Sequence, residues 1–188
     1  MSDNKKNIRL FIFVTVFYWF SMYAYIPTFS PYLESLGASH KMIGLILGSY
    51  GFTQMLIRIP LGIYSDRINK RKIFVIIGIL LSLISTIGMW FSQTPILLLI
   101  FRALAGASAA TWVSFTVLFS SYFKKDDTSH AIGIINASNK SGQVVGMLLG
   151  GIIAQSLGQQ FPFLLATAGA VIGLILSLNV DEKNNVNH

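Results

Sequence analysis

The sequence has no cysteine. That excludes disulfides, thiolate nucleophiles and cysteine-ligated metals. Charge is scarce too: Asp, Glu, Lys and Arg make up 11% of the 188 residues, against about 25% in soluble domains. Acid is scarcest, with 7 Asp and Glu against 14 Lys and Arg. The long apolar runs hold no Asp or Glu, so paired-carboxylate acid–base chemistry has no place inside them. The three histidines, His40, His130 and His188, fall far apart in turns or in the tail. No metal site, no cofactor and no enzymatic activity is expected. The net charge of +7 does not mark a nucleic-acid partner either. The cations sit in short clusters between apolar runs, not along one face of a folded domain.

What is abundant is hydrocarbon. Hydrophobic residues are 53% of the chain and the mean hydropathy is +0.64. A membrane-spanning helix needs ~20 apolar residues. Six runs meet that length, at about 8–29, 42–64, 73–91, 96–123, 131–155 and 161–180, followed by a polar tail, 181–188, expected to fray. The first run lacks a small-residue cleavage site and reads as a retained span, not a signal peptide. Pro27 and Pro31 are expected to bend or end it. Gly37 is a candidate helix C-cap and Ser39 a candidate N-cap. Pro95 is placed to start the fourth helix.

Orientation follows from the cations. With the N-terminus inside, the inner segments carry Lys5, Lys6, Arg9, Arg67, Lys70, Arg71, Lys72, Lys124, Lys125 and Lys183, while the outer turns carry only Lys41. This strong positive-inside bias predicts six antiparallel helices with both termini cytoplasmic, in the plasma (inner) membrane. Arg58, Arg102 and Lys140 remain within spans, where an ionisable residue marks a functional site by default. The third and sixth runs are nearly featureless and can face lipid. The other four carry the aromatics, glycines and ionisable groups, and are expected to face one another or a wet cavity.

Three constellations stand out. Between the second and third runs lies Gly62-x-x-x-Asp66-Arg67-x-x-Lys70-Arg71-Lys72, read as a tight turn at the inner surface. In the fourth run Arg102 is followed by Gly106 and surrounded by Ala103, Ala105, Ala107, Ala109 and Ala110. Arg102 either snorkels outward or faces a central cavity. In the fifth run, at about 100° per residue, Asn136, Lys140, Gln143 and Met147 share one face. Gly142, Gly146 and Gly150 form a second ridge, and Gly151 follows. The polar face reads as cavity lining and the glycines as a packing seam. Arg58 fits structural anchoring or cavity lining equally. Tyr18, Met22, Tyr25 and Phe29 form an aromatic stripe on the first run, either packing or cavity wall.

The three patterns together resemble the major facilitator superfamily. The charged stretch resembles its motif A, with Asn69 where the family usually has Gly; Asn also tolerates the left-handed conformation. Arg102 and Gly106 match its motif B. The fifth-run glycines resemble motif C of the drug-proton antiporter-like members, with Met147 where that motif has Pro. The resemblance covers nearly the whole chain. It implies an all-α integral membrane fold, six transmembrane helices forming one half of the transporter, itself a 3+3 inverted repeat. It further implies a secondary transporter of a small molecule, working by alternating access. Gly62, Asp66, Arg67, Lys70 and Arg71 would form the inner gate. Arg102, Lys140, Asn136, Gln143, Arg58 and Tyr25 would line the substrate or coupling path. The family has twelve spans, so this chain reads as an N-terminal half, a fragment or the product of a truncated or split gene. Its expected partners are the lipid bilayer, the substrate, and a C-terminal six-helix half or a second copy. The alternative is a transport-inactive membrane protein, or a regulatory half that binds a partner.

Overall fold

The structure is a computed structural model that describes residues 2–68 and 70–182. Among the described residues every regular element is helical. Eight α-helices follow one another: α1 Ser2–Tyr23, α2 Ile26–Ser35, α3 His40–Ile68, α4 Arg71–Phe91, α5 Pro95–Ala110, α6 Trp112–Ser120, α7 Thr128–Leu157 and α8 Phe161–Leu178. A single 3₁₀ turn, Lys125–Asp127, precedes α7. They form six rods, because α1 and α2 continue one line and so do α5 and α6.

The two interruptions have local causes. The first run breaks at Ala24 and Tyr25, ahead of the prolines and not at them. Pro27 sits in the first turn of α2, where its missing N–H costs nothing, and Pro31 lies inside that helix. In the fourth run Thr111 stands between α5 and α6. Its Oγ1 donates to the Ser108 carbonyl over 2.7 Å, competing with the helical ladder. In the element order, the interrupted rod is the first of each group of three.

Turns are set by their own chemistry. Gly37 ends α2 at φ +76, a left-handed conformation that suits glycine, and its N–H reaches the Glu34 carbonyl at 2.9 Å. Ser39 Oγ accepts from the Met42 N–H at 3.3 Å, as an N-cap should. The charged stretch departs from the sequence reading. The turn is shorter than the expected 65–72: α3 runs on past 64 through Asp66 and Arg67 to Ile68, and Arg71 already opens α4. Gly62 is accordingly in mid-helix, and a side chain there would meet nothing within 4 Å.

Five rods are long and apolar enough to cross a membrane. The sixth, α7, has 30 residues and the length to do so. Asn136, Asn139, Lys140 and Gln143 dilute its hydropathy. Rod α1 lies against α7 and α8, α4 against α5 and α8, and α3 against α5. The core is aromatic. Phe11 meets Phe115, Phe119 and Tyr122 at one end, and Tyr25, Phe29 and Tyr32 surround Phe163 at the other. Within the chain the polar rod α3 is less covered than α4. Of the most apolar stretch of α3, 11% is buried, against 44% for α4. The featureless rod is the better packed one, because its Gly78, Ser82 and Ser85 let neighbours approach. The exposed face of α3 carries Gly44, Gly48, Gly51, Phe52, Met55 and Arg58.

Candidate functional site

Arg102 lies two turns into α5, about 10 Å from its start at 1.5 Å per residue. Its side chain does not snorkel to water. It is 7% exposed. Nη1 donates to the Tyr25 hydroxyl at 2.8 Å. The guanidinium carbon lies 4.3 Å from the ring centre of Tyr50, and 5.6 Å from those of Tyr25 and Phe29. Aromatic faces of this kind stabilise a desolvated cation by up to about 2 kcal/mol each. Nε has no partner. Among the described residues no carboxylate pairs with Arg102; the one ion pair lies elsewhere. The result is a box that holds a cation between the break of the first rod, α3 and α5, with hydrogen-bonding capacity unused.

Gly106 holds this box together. A Cβ there would lie 2.1 Å from Thr53 Oγ1 and 2.2 Å from the Tyr50 carbonyl oxygen. Thr53 Oγ1 donates across the same contact to the Ala103 carbonyl at 2.8 Å. The close approach of α3 to α5 thus brings the Tyr50 ring over Arg102.

On α7 the glycine ridge meets the backbone of α1. A Cβ at Gly142, Gly146 or Gly150 would lie 2.3, 2.8 or 1.6 Å from the carbonyl oxygens of Val16, Phe20 and Ala24. Gly151, expected in the same seam, faces open space. On the polar face Asn136 and Lys140 are exposed and Gln143 is buried. Lys140 Nζ donates to Gln143 Oε1 at 3.3 Å, and Gln143 Nε2 donates to Asn139 Oδ1. Asn139 was not among the sequence candidates, although its place four residues before Gln143 was a readable signal. Arg58 is exposed on α3, beside Gly51, Gln54, Met55 and Ile59, around a shallow cavity of about 290 Å³. No hydrogen bond among the described residues joins Arg58 or Lys140 to the Arg102 box.

At the other end of the bundle Arg71 Nη2 donates to Asp66 Oδ1 at 2.8 Å, with side chains 20% and 67% exposed. Arg67 and Lys70 are exposed. Asn69 lies outside the described residues. A second carboxylate, absent from the sequence candidates, completes this corner. Glu182 Oε1 accepts from the backbone N–H of Arg71 and, at 3.4 Å, from that of Lys72. It therefore sits at the positive end of α4. Lys72 Nζ reaches the Leu178 carbonyl at 2.9 Å, and the Tyr122 hydroxyl donates to the Asp181 carbonyl at 2.6 Å. Burial, with Asp181 and Glu182 nearby, pushes the Tyr122 hydroxyl well above its ordinary pKa. The tail, expected to fray from 181, is tied down at Asp181 and Glu182; residues 183–188 lie outside the described residues. The signal missed was a carboxylate placed just after the last span, opposite an unpaired helix start.

Comparison with known proteins adds a family. A model of the Major Facilitator Superfamily matches residues 11–188. An uncharacterized MFS-type transporter of Methanocaldococcus jannaschii is 30% identical, covering 94% of this chain and 46% of the relative. Multidrug resistance protein 1 of Bacillus subtilis is 29% identical, covering 97% of this chain and 48% of the relative. Among solved structures, an inward-facing, occupied bacterial homolog to the human lysosomal transporter Spinster superposes with a TM-score of 0.83 at 18% identity. That match covers 97% of this chain and 45% of the other. The likeness is one of fold. The chain spans about half the length of the relatives it matches.

Proposed function

The chain belongs to the Major Facilitator Superfamily, and from that premise we propose that it forms the N-terminal six-helix half of a secondary transporter moving a small molecule by alternating access. The observation that carries this reading is the Arg102 box. A buried cation without a carboxylate, clamped at the interruption of a membrane rod, is a costly arrangement that stability alone does not favour. Arg102 and Tyr25, with Lys140, Asn136, Gln143 and Arg58, line the path for substrate or coupling ion. Asp66, Arg67, Lys70 and Arg71 belong to the inner gate, and the Gly142–Gly146–Gly150 seam lets α7 move against α1. Away from their ends, where Glu34 and Asp66 lie, the spans contain Arg58, Arg102 and Lys140 and no acid, which suits an anionic or amphiphilic substrate. Similarity to the Bacillus multidrug resistance protein supports export. Any proton-carrying carboxylate comes from a second six-helix half. Both termini face the cytoplasm of a cell-membrane protein.

One observation favours a second reading: the chain spans about half of its relatives. Without a second half it is a transport-inactive protein that binds a partner. The experiment is uptake into proteoliposomes by the chain alone and co-reconstituted with a C-terminal half, assayed with a panel of amphiphilic dyes. Substrate movement dependent on Arg102 supports the transporter. No movement in either preparation, with correct insertion, overturns it in favour of the second reading. Orientation is tested by cysteine labelling, since the chain has no native cysteine. Ser39→Cys should label from outside and Lys125→Cys only after permeabilisation.

A further inference from the structure

The inner end of α1 has two unlike faces. Asn4, Asn7, Phe11 and Val14 turn toward the bundle. Asn4 Nδ2 donates to the Tyr122 carbonyl at 2.8 Å, and Phe11 meets Phe115 and Phe119 at 5.8 and 5.6 Å between ring centres. These contacts fix the rotation of the helix. Helical geometry then turns Lys5, Lys6, Arg9 and Phe13 outward, and all four are exposed. With Leu10 they surround an open cavity of about 410 Å³. Among the described residues none of the three cations has an ion-pair partner.

We infer that this face is a binding site for one anionic phospholipid, with its phosphate held by Lys5, Lys6 and Arg9 and its acyl chain laid along Leu10 and Phe13. The spacing matches the ligand. From Lys5 to Phe13 the helix rises about 12 Å at 1.5 Å per residue, enough to pass from the headgroup layer, about 5–8 Å deep, into hydrocarbon. The rod that carries the site is long and apolar enough to cross a membrane. Its charged mouth therefore lies at the surface, with Phe13, 57% exposed, below it. A free phosphate would use only the mouth and leave the apolar floor uncovered. An anionic phospholipid uses both. The arginine adds a planar fork for phosphate that the two lysines lack. The site is separate from the Arg102 box and does not depend on transport.

The test uses the full-length protein in mixed micelles with phosphatidylglycerol or phosphatidylcholine. Native mass spectrometry counts retained lipid, and thermal unfolding supplies a second readout. Phosphatidylglycerol should be retained in preference to phosphatidylcholine. Each charge removed in the series K5Q, K5Q/K6Q and K5Q/K6Q/R9Q should lower its affinity about fivefold. Phe13→Ser should weaken phosphatidylglycerol retention, and K124Q/K125Q, which removes two cations at the same end of the bundle but outside the site, should not. Retention by the triple variant equal to wild type overturns the site. So does an equal loss in K124Q/K125Q. Equal thermal protection by inorganic phosphate or glycerol 3-phosphate overturns the lipid assignment in favour of a free phosphate. If the triple variant does not fold, R9Q against R9K is read by the same lipid ratio, with R9K expected to keep most of the preference and loss in both overturning the site.

Discussion

The guanidinium of Arg102 and the hydroxyl of Tyr25 are joined by one hydrogen bond of 2.8 Å, tying α5 to the point where the first rod breaks. With no carboxylate beside it and Nε unpartnered among the described residues, the arginine costs stability that its aromatic neighbours only partly offset. Replacing even a buried ion pair by well-packed apolar residues is often neutral or stabilising by ~1–4 kcal/mol, and an ion without a counter-charge has less attraction to lose. Arg102→Met combined with Tyr25→Phe should therefore keep or raise the thermal midpoint and abolish transport. Tyr25→Phe alone should lower stability by about 0.5–2 kcal/mol, because it strands a second guanidinium N–H. A double variant that unfolds more readily than either single one would make Arg102 a structural anchor.

Gly150 and Gly151 are neighbours in sequence and opposites in space. A Cβ at Gly150 would lie 1.6 Å from the Ala24 carbonyl oxygen, whereas one at Gly151 meets nothing within 4 Å. The obstruction at Gly150 is backbone, which cannot rotate aside. Gly150→Ala should destabilise the detergent-solubilised chain by about 1–3 kcal/mol or more, and Gly151→Ala by less than about 0.5 kcal/mol. Equal midpoints for the two variants would mean that α7 does not close on α1 as described.

The sequence made the rods legible because apolar length is a one-dimensional property, and it made the Gly142–Gly146–Gly150 ridge legible because helical period places those residues on one face. It did not reveal where the rods break. Pro27 and Pro31 drew attention away from Ala24 and Tyr25, and Thr111 looks like any polar residue in a span until its hydroxyl is seen on the Ser108 carbonyl. Arg102 was legible as a cation within a span, but its burial and enclosure were not. Tyr25, Phe29 and Tyr50 come from two other rods, and no spacing within α5 announces them. Glu182 was hidden for the same reason. Its partners, Arg71 and Lys72, are more than a hundred positions away. Polarity placed α3 against other helices or a wet cavity and allowed α4 to face lipid. It did not reveal that small residues at Gly78, Ser82 and Ser85 bury one face of α4.

Ser108 joins three elements through one hydroxyl. Its Oγ donates to the Gly78 carbonyl of α4 at 2.6 Å and lies 2.9 Å from the Tyr18 hydroxyl of α1. Ser108→Ala leaves that buried hydroxyl without its partner. The expected cost is about 0.6–2 kcal/mol, the usual worth of a hydrogen bond between membrane helices. Ser141→Ala, whose exposed hydroxyl bonds only the Ala137 carbonyl of its own helix, is the control and should change the midpoint by less than about 0.5 kcal/mol. If both variants melt alike, the Tyr18–Ser108–Gly78 chain does not hold the rods together.

Asp66 and Glu182 meet the same arginine in different ways, and their variants should separate gate from scaffold. Asp66 takes the Arg71 side chain while two-thirds exposed, so solvent screening leaves the pair little stability to contribute. Asp66→Asn should insert normally and melt like the parent, yet lose most transport, because the carboxylate, though paired with Arg71, stays exposed enough to engage whatever closes on it. Glu182 instead accepts from the first N–H groups of α4. Glu182→Gln weakens a helix cap and a charge at the positive end of the dipole, a loss of about 0.5–1 kcal/mol. Hydrogen exchange should show it as faster opening at residues 71–74, with the rest of α4 unchanged. Should Asp66→Asn retain full transport, the inner pair is no gate. Should Glu182→Gln leave exchange at 71–74 untouched, the start of α4 is held by the bundle and not by the end of the chain.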